Sequence, residues 1–167
     1  MHTYLGCEIE RDIAAGRTLL SQRHFAEGVL RTFTMWDCIP ALTPMKPGTR
    51  LTRDHSDFSP DPAFHRRYRG IVGSLGYLVN MTCPDLAWSC SEVSKYVQYP
   101  GQAHMDAAVH VFRYLRATYV QAILYQRVDT LADTVWGLVD SDWAADVNSR
   151  RSHTGYLTIM LSDGAVS

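Results

Sequence analysis

Three aspartates, Asp140, Asp142 and Asp146, stand within seven residues of one another. Carboxylates at that density are a common start for a divalent-cation site. Mg²⁺ takes oxygen ligands in near-octahedral geometry and keeps several waters, so a carboxylate at the end of a buried strand can offer it a fixed ligand. An apolar run, Val135-Trp136-Gly137-Leu138-Val139, leads into the group, and Arg150-Arg151 and a second apolar run, Tyr156 to Leu161, follow it. Alternation along a strand puts Asp140 and Asp142 on one face. Asp146 and Asn148 read as turn residues. The competing reading is a polar strand-to-turn exit without metal, because aspartate marks turns in any case.

A second group lies on a helical stretch. Phe64, Tyr68, Ile71, Val72, Leu75, Leu78 and Val79 form one apolar stripe, and Arg66, Arg67 and Arg69 lie off it. Those arginines are either a solvated face or phosphate contacts. Gly70, Gly73 and Gly76 interrupt the stripe, and each costs a helix about 1 kcal/mol against alanine. Glycines kept at that cost point to a second surface in close approach, either a neighbouring helix or a bound backbone.

Other chemistry is poorly supported. The four cysteines, Cys7, Cys38, Cys83 and Cys90, form no C-x-x-C pair and read as reduced thiols of an intracellular protein, cytoplasmic or nuclear. The histidines are scattered, and His104 and His110 fall on different helix faces as non-ligands. No apolar run is long enough to span a bilayer. Net charge is −1 and uneven: residues 60–127 carry seven basic and four acidic groups, residues 128–167 two and six. That balance is too weak for an autonomous nucleic-acid binder but suits one part of a larger nucleic-acid enzyme.

The elements that must position these residues follow from periodicity and breaks. Alternation from Cys7, the turn-like Asp12 to Gly16 and the resumption at Thr18 predict a β-hairpin. Ser21 is a candidate N-cap for a short helix over 22–33. Residues 37–62 hold five prolines and read as an irregular strap over the surface. Helices are expected over 64–81, from Pro84 to the Tyr99-Pro100-Gly101 break, and over 102–118, with Met105, Ala108, Val109, Phe112 and Leu115 inward and His104, Arg113 and Arg116 elsewhere. A short strand over 122–126 precedes the acidic segment. The class is α+β, divided at 1–22, 23–127 and 128–167.

The order of motifs resembles the Pol polyprotein of copia-type long-terminal-repeat retrotransposons. The stretches that carry the likeness are Tyr4-Leu5-Gly6-Cys7-Glu8-Ile9, Tyr68-Arg69-Gly70 through Tyr77-Leu78, Thr82-Cys83-Pro84-Asp85-Leu86-Ala87, Tyr99-Pro100-Gly101 through Leu115-Arg116, and Asp140-Ser141-Asp142-Trp143 through Gly155-Tyr156. Departures are Ala145 for the usual glycine, Met105 for tryptophan and Cys83 for arginine. The resemblance implies the end of a reverse transcriptase running into ribonuclease H. Leu5 and Gly6 would belong to a primer-grip-like hairpin. The helices would form a three-helix thumb and connection holding an RNA–DNA hybrid or DNA template–primer, with Arg66, Arg67, Arg69 and Gly73 toward nucleic acid. The acidic segment would be the first strands of a truncated ribonuclease H-like fold. There two Mg²⁺ ions hydrolyse a phosphodiester, with Asp140 as the bridging carboxylate and Asp142 as a helper. The family's Y-x-D-D motif is absent, and the remaining acidic ligands would come from other Pol segments, so catalysis by this chain alone is not expected. The alternative is a non-enzymatic nucleic-acid-binding or scaffolding module derived from a retroelement.

Overall fold

Among the described residues, seven strands and four α-helices form in the order β1 (His2–Tyr4), β2 (Cys7–Asp12), β3 (Arg17–Ser21), α1 (Arg23–Thr32), α2 (Pro62–Met81), α3 (Ala87–Ser94), α4 (Gln102–Thr118), β4 (Ile123–Gln126), β5 (Trp136–Ser141), β6 (Thr154–Met160) and β7 (Gly164–Ala165). The computed structural model describes residues 2–53, 58–127, 136–141, 146, 148–150, 152, 154–160 and 164–165. The chain divides into two units, one of Met1–Arg23 with Val120–Ser167 and one of His24–Tyr119. Both sheets are antiparallel, as an α+β chain requires.

In the strand unit, β1 to β4 form a sheet in sequence order. The expected hairpin is β2 with β3, in register from Glu8↔Ser21 to Asp12↔Arg17. The strand expected near 122–126 is β4, and it pairs with β3 at Leu20↔Ile123. The helical unit is therefore inserted between two neighbouring strands. Ser21 is not a helix cap: it ends β3, and its hydroxyl donates to Glu8 Oε2 at 3.4 Å. The second sheet has the order β5-β6-β7.

The helical unit holds the main hydrophobic core. Tyr68, Ile71, Leu75 and Leu78 of α2 are fully buried, as the spacing predicts, against Leu30 of α1, Val93 of α3 and Val111 and Phe112 of α4. Helix α2 starts where Asp61 accepts the Ala63 N–H at 2.9 Å and Pro62 occupies the first turn. It ends with the Thr82 and Cys83 N–H groups both on the Leu78 carbonyl, each at 2.9 Å. Pro84 opens a 3-10 turn over Pro84–Leu86 that leads into α3. Helix α3 closes at Ser94, short of the Pro-Gly break, because Tyr96 and Val97 bond three residues back instead of four. The Tyr68 hydroxyl donates to the Val93 carbonyl at 2.7 Å, satisfying both groups inside the core.

The strap between α1 and α2 carries no helix or strand among its described residues. Met35, Ala41, Met45 and Leu51 sink into buried positions. Its polar fastening comes mostly from α4. His104 Nε2 meets the Thr52 carbonyl at 2.9 Å and His110 Nε2 the Thr43 carbonyl at 3.1 Å. Arg113 Nε donates to the Ile39 carbonyl and Arg116 Nε to the Trp36 carbonyl, both at 2.7 Å. The Tyr96 hydroxyl donates to the Leu51 carbonyl at 2.8 Å.

Candidate nucleic-acid interface and carboxylate site

Leu5 and Gly6 form the two-residue turn between β1 and β2, where Tyr4 pairs with Cys7. Their φ angles are +46° and +73°. Two positive-φ residues match the twist of an antiparallel hairpin, and glycine adopts that geometry without penalty. For leucine it costs about 1 kcal/mol or more. Leu5 is also 66% exposed, so an apolar side chain stands at a tight, strained hairpin tip. The alternation read from sequence begins only at Cys7; the extra strand β1 makes Leu5 and Gly6 a turn.

Arg66, Arg67 and Arg69 are exposed on α2. Arg67 donates through Nη2 to the Phe33 carbonyl at 3.2 Å, which ties one of the three to the segment after α1. The glycines separate into two kinds. A Cβ on Gly70 would come within 2.9 Å of Phe33 Cζ, so a neighbouring side chain does pack closely there. A Cβ on Gly73 or Gly76 would meet nothing within 4 Å. Close packing within this unit accounts for Gly70 alone.

Helix α4 corrects the expectation from sequence. His104, expected away from the inward face, is buried at 4% exposure, and His110 is buried too, at 8%. The Gly101 N–H donates to His104 Nδ1 at 2.9 Å, which makes Nε2 the protonated nitrogen facing Thr52. His104 also stacks on Tyr96 with ring centroids 4.0 Å apart. His110 must likewise donate from Nε2, and its buried Nδ1 has no partner among the described residues. Burial pushes the His110 pKa down, the charges of Arg113 and Lys46 push it the same way, and the bond to Thr43 opposes them. The spacing of His110, Arg113 and Arg116 at intervals of three was the available signal, since such positions share one side of a helix.

Asp140 lies one residue from the end of β5, opposite Gly155 of β6, and is exposed. The strand itself is not buried: Leu138 is 55% and Val139 73% exposed. Asp142 lies outside the described residues. Asp146 is a turn residue, as expected. Its Oδ1 accepts from the Asn148 and Ser149 N–H groups at 3.0 and 2.6 Å and from the Ser149 hydroxyl at 2.9 Å. Among the described residues no three His, Cys, Asp or Glu side chains gather as a metal site. Of the three aspartates, Asp140 is exposed and Asp146 holds its turn through Oδ1, and one carboxylate does not make a two-ion Mg²⁺ centre.

Comparison with known proteins decides the family. The chain is 35% identical over 160 residues to the retrovirus-related Pol polyprotein from transposon RE2 of Arabidopsis thaliana, with 96% of the chain aligned. It is 32% identical over 166 residues to that from transposon TNT 1-94 of Nicotiana tabacum, with 98% aligned. The chain belongs to the retrovirus-related Pol polyprotein family of copia-type transposons. This Pol segment spans only 10% and 12% of the length of those two relatives. It is also 39% identical over 100 residues to secreted RxLR effector protein 161 of Plasmopara viticola, covering 68% of that protein and 60% of the Pol segment. No family model matches the Pol segment, and no solved structure matches it. Among its described residues no helix is long and apolar enough to cross a membrane.

Proposed function

We propose that this Pol segment holds a template–primer duplex, RNA–DNA hybrid or DNA, within an intracellular reverse transcriptase and ribonuclease H polyprotein. The alignment of nearly the whole chain with Pol polyproteins carries this reading. The Leu5–Gly6 turn acts as a primer-grip-like tip, and its exposed, strained leucine fits a role in touching a partner. The helical unit acts as thumb and connection, with Arg66, Arg67 and Arg69 toward the phosphates and Gly73 open to a close backbone. Strands β5 and β6 are the first strands of a ribonuclease H-like domain. Asp140 is one Mg²⁺ ligand there, and other Pol segments supply the remaining ligands.

The test joins the chain to its natural downstream sequence and measures Mg²⁺-dependent cleavage of an RNA–DNA hybrid. The joined protein should cleave and the present chain should not. Asp140→Asn in the joined protein should lower the rate by about 100-fold or more while hybrid binding persists, as removal of a ligand from a two-ion site requires. Equal cleavage with and without Asp140 would remove the metal assignment.

A second reading, a binding or scaffolding module without catalysis, is favoured by the 68% coverage of a relative not named as a Pol polyprotein. Hybrid binding without cleavage by the joined protein would support it.

A further inference from the structure

The helical unit carries another basic surface besides the α2 arginines. The guanidinium carbons of Arg31 and Arg116 lie over the Trp36 ring, 4.2 and 4.4 Å from its centroid. Arg116 also lies 5.4 Å from the Tyr119 ring centre, and that ring meets Trp36 edge-on at 5.3 Å. Arg113 joins them through its bond to Ile39, three residues beyond Trp36.

Two of these arginines differ from ordinary surface cations in their partners. Arg31 pairs with Glu27 at 2.8 Å. Arg113 and Arg116 form no ion pair among the described residues and bond through Nε to backbone carbonyls. A carbonyl is satisfied by any neutral donor, so fastening the strap does not by itself require a guanidinium. A guanidinium carries five N–H donors, and engaging Nε–H leaves the terminal nitrogens with their bidentate geometry for an oxyanion. The Nε bonds and the Trp36 ring also hold these heads in place, so little side-chain freedom is lost when a ligand arrives. Asp37 sits on the same segment, and its charge acts on Cys38 against those of Arg113 and Arg116, but it forms no ion pair with either among the described residues.

We propose that Arg31 and Arg116, held over Trp36, and Arg113, held at Ile39 of the same segment, form a ridge that contacts the phosphate backbone of a nucleic-acid duplex, in addition to the Arg66–Arg69 face of α2. The proposal rests on the reading above that the chain holds template–primer. Fixed guanidiniums, two of them without carboxylate partners, suit phosphodiesters, which recur along a duplex and are recognised without base reading.

The test titrates the full chain with a fluorescent RNA–DNA hybrid over a range of salt concentrations. Three proteins are compared: wild type, R31Q/R113Q/R116Q and R66Q/R69Q. Glutamine keeps an N–H donor for the strap carbonyls while removing the charge. The first variant should bind at least about tenfold more weakly, and its salt slope should fall by about 0.9 for each phosphate no longer neutralised. A folded triple variant with wild-type affinity and slope overturns the ridge while leaving the α2 reading standing. If wild-type protein does not bind at all, both fall. Should the triple variant not fold, arginine-specific dicarbonyl labelling of wild type replaces it. Bound hybrid should then protect Arg113 and Arg116, and equal labelling with and without hybrid overturns the proposal.

Discussion

Gly70 and Gly73 stand three residues apart on α2 and should respond oppositely to alanine. At Gly73 the added methyl meets open space, so Gly73→Ala should stabilise the protein by about 0.5–1 kcal/mol through helix propensity. At Gly70 it lands 2.9 Å from a ring that is itself packed edge-on against Phe112 at 5.4 Å. Gly70→Ala should therefore destabilise by about 1 kcal/mol once the helix gain is offset by overpacking. Denaturant melts of the two variants decide this, and equal shifts would contradict it. If Gly73→Ala is more stable yet binds a hybrid more weakly, a bound backbone approaches that glycine. His110 makes a prediction about pH. Its folded pKa lies below the ordinary value of 6.5, so the unfolded chain takes the proton first as pH falls. Stability contributed by neutral His110 is complete above about pH 6.5 and is lost as pH falls below it. His110→Gln, which still donates to Thr43, should lose less melting temperature between about pH 7.5 and 5.5 than wild type does. An equal loss would place the acid sensitivity elsewhere.

The strap has little of the local order that usually holds a long connection in place. It is fixed by buried anchors and by the side chains of α4 and Tyr96. Tyr96→Phe removes the hydroxyl from the buried Leu51 carbonyl and should cost about 1–2 kcal/mol. Protease cleavage within residues 37–53 should quicken at the same time. Cleavage unchanged in the strap would mean that α4 alone holds it. The helices were legible because their information is local: the apolar stripe of α2 and the Pro and Gly breaks around α4 gave both helices to within two residues. The strap's attachments were not, since Arg113 and Arg116 reach carbonyls 74 and 80 residues back in sequence. Backbone carbonyls carry no residue-type signal, so no pattern in residues 33–53 announces where an arginine will bond. Tertiary pairing likewise hid β1, which is too short to show alternation, and made a turn of Leu5 and Gly6. The carboxylate site was legible in part. Asp146 declared itself as a turn residue by its composition, whereas the exposure of β5 depends on what covers it, which sequence alternation does not encode.

At the scale of the molecule, a helical unit with a continuous core is inserted into a strand unit whose second sheet leaves Leu138, Val139 and Tyr156 exposed. Exposed apolar side chains grouped on one sheet favour association. The Pol relatives themselves are far longer, the chain aligning with 12% and 10% of their lengths. The role proposed for this segment is to hold nucleic acid. It is tested most directly by fluorescence anisotropy of an RNA–DNA hybrid titrated with the 167-residue chain at low and at physiological salt. Saturable binding that weakens steeply between the two is expected, because several phosphate contacts release counterions. A chain that melts cooperatively yet shows no saturable binding at low salt would contradict it.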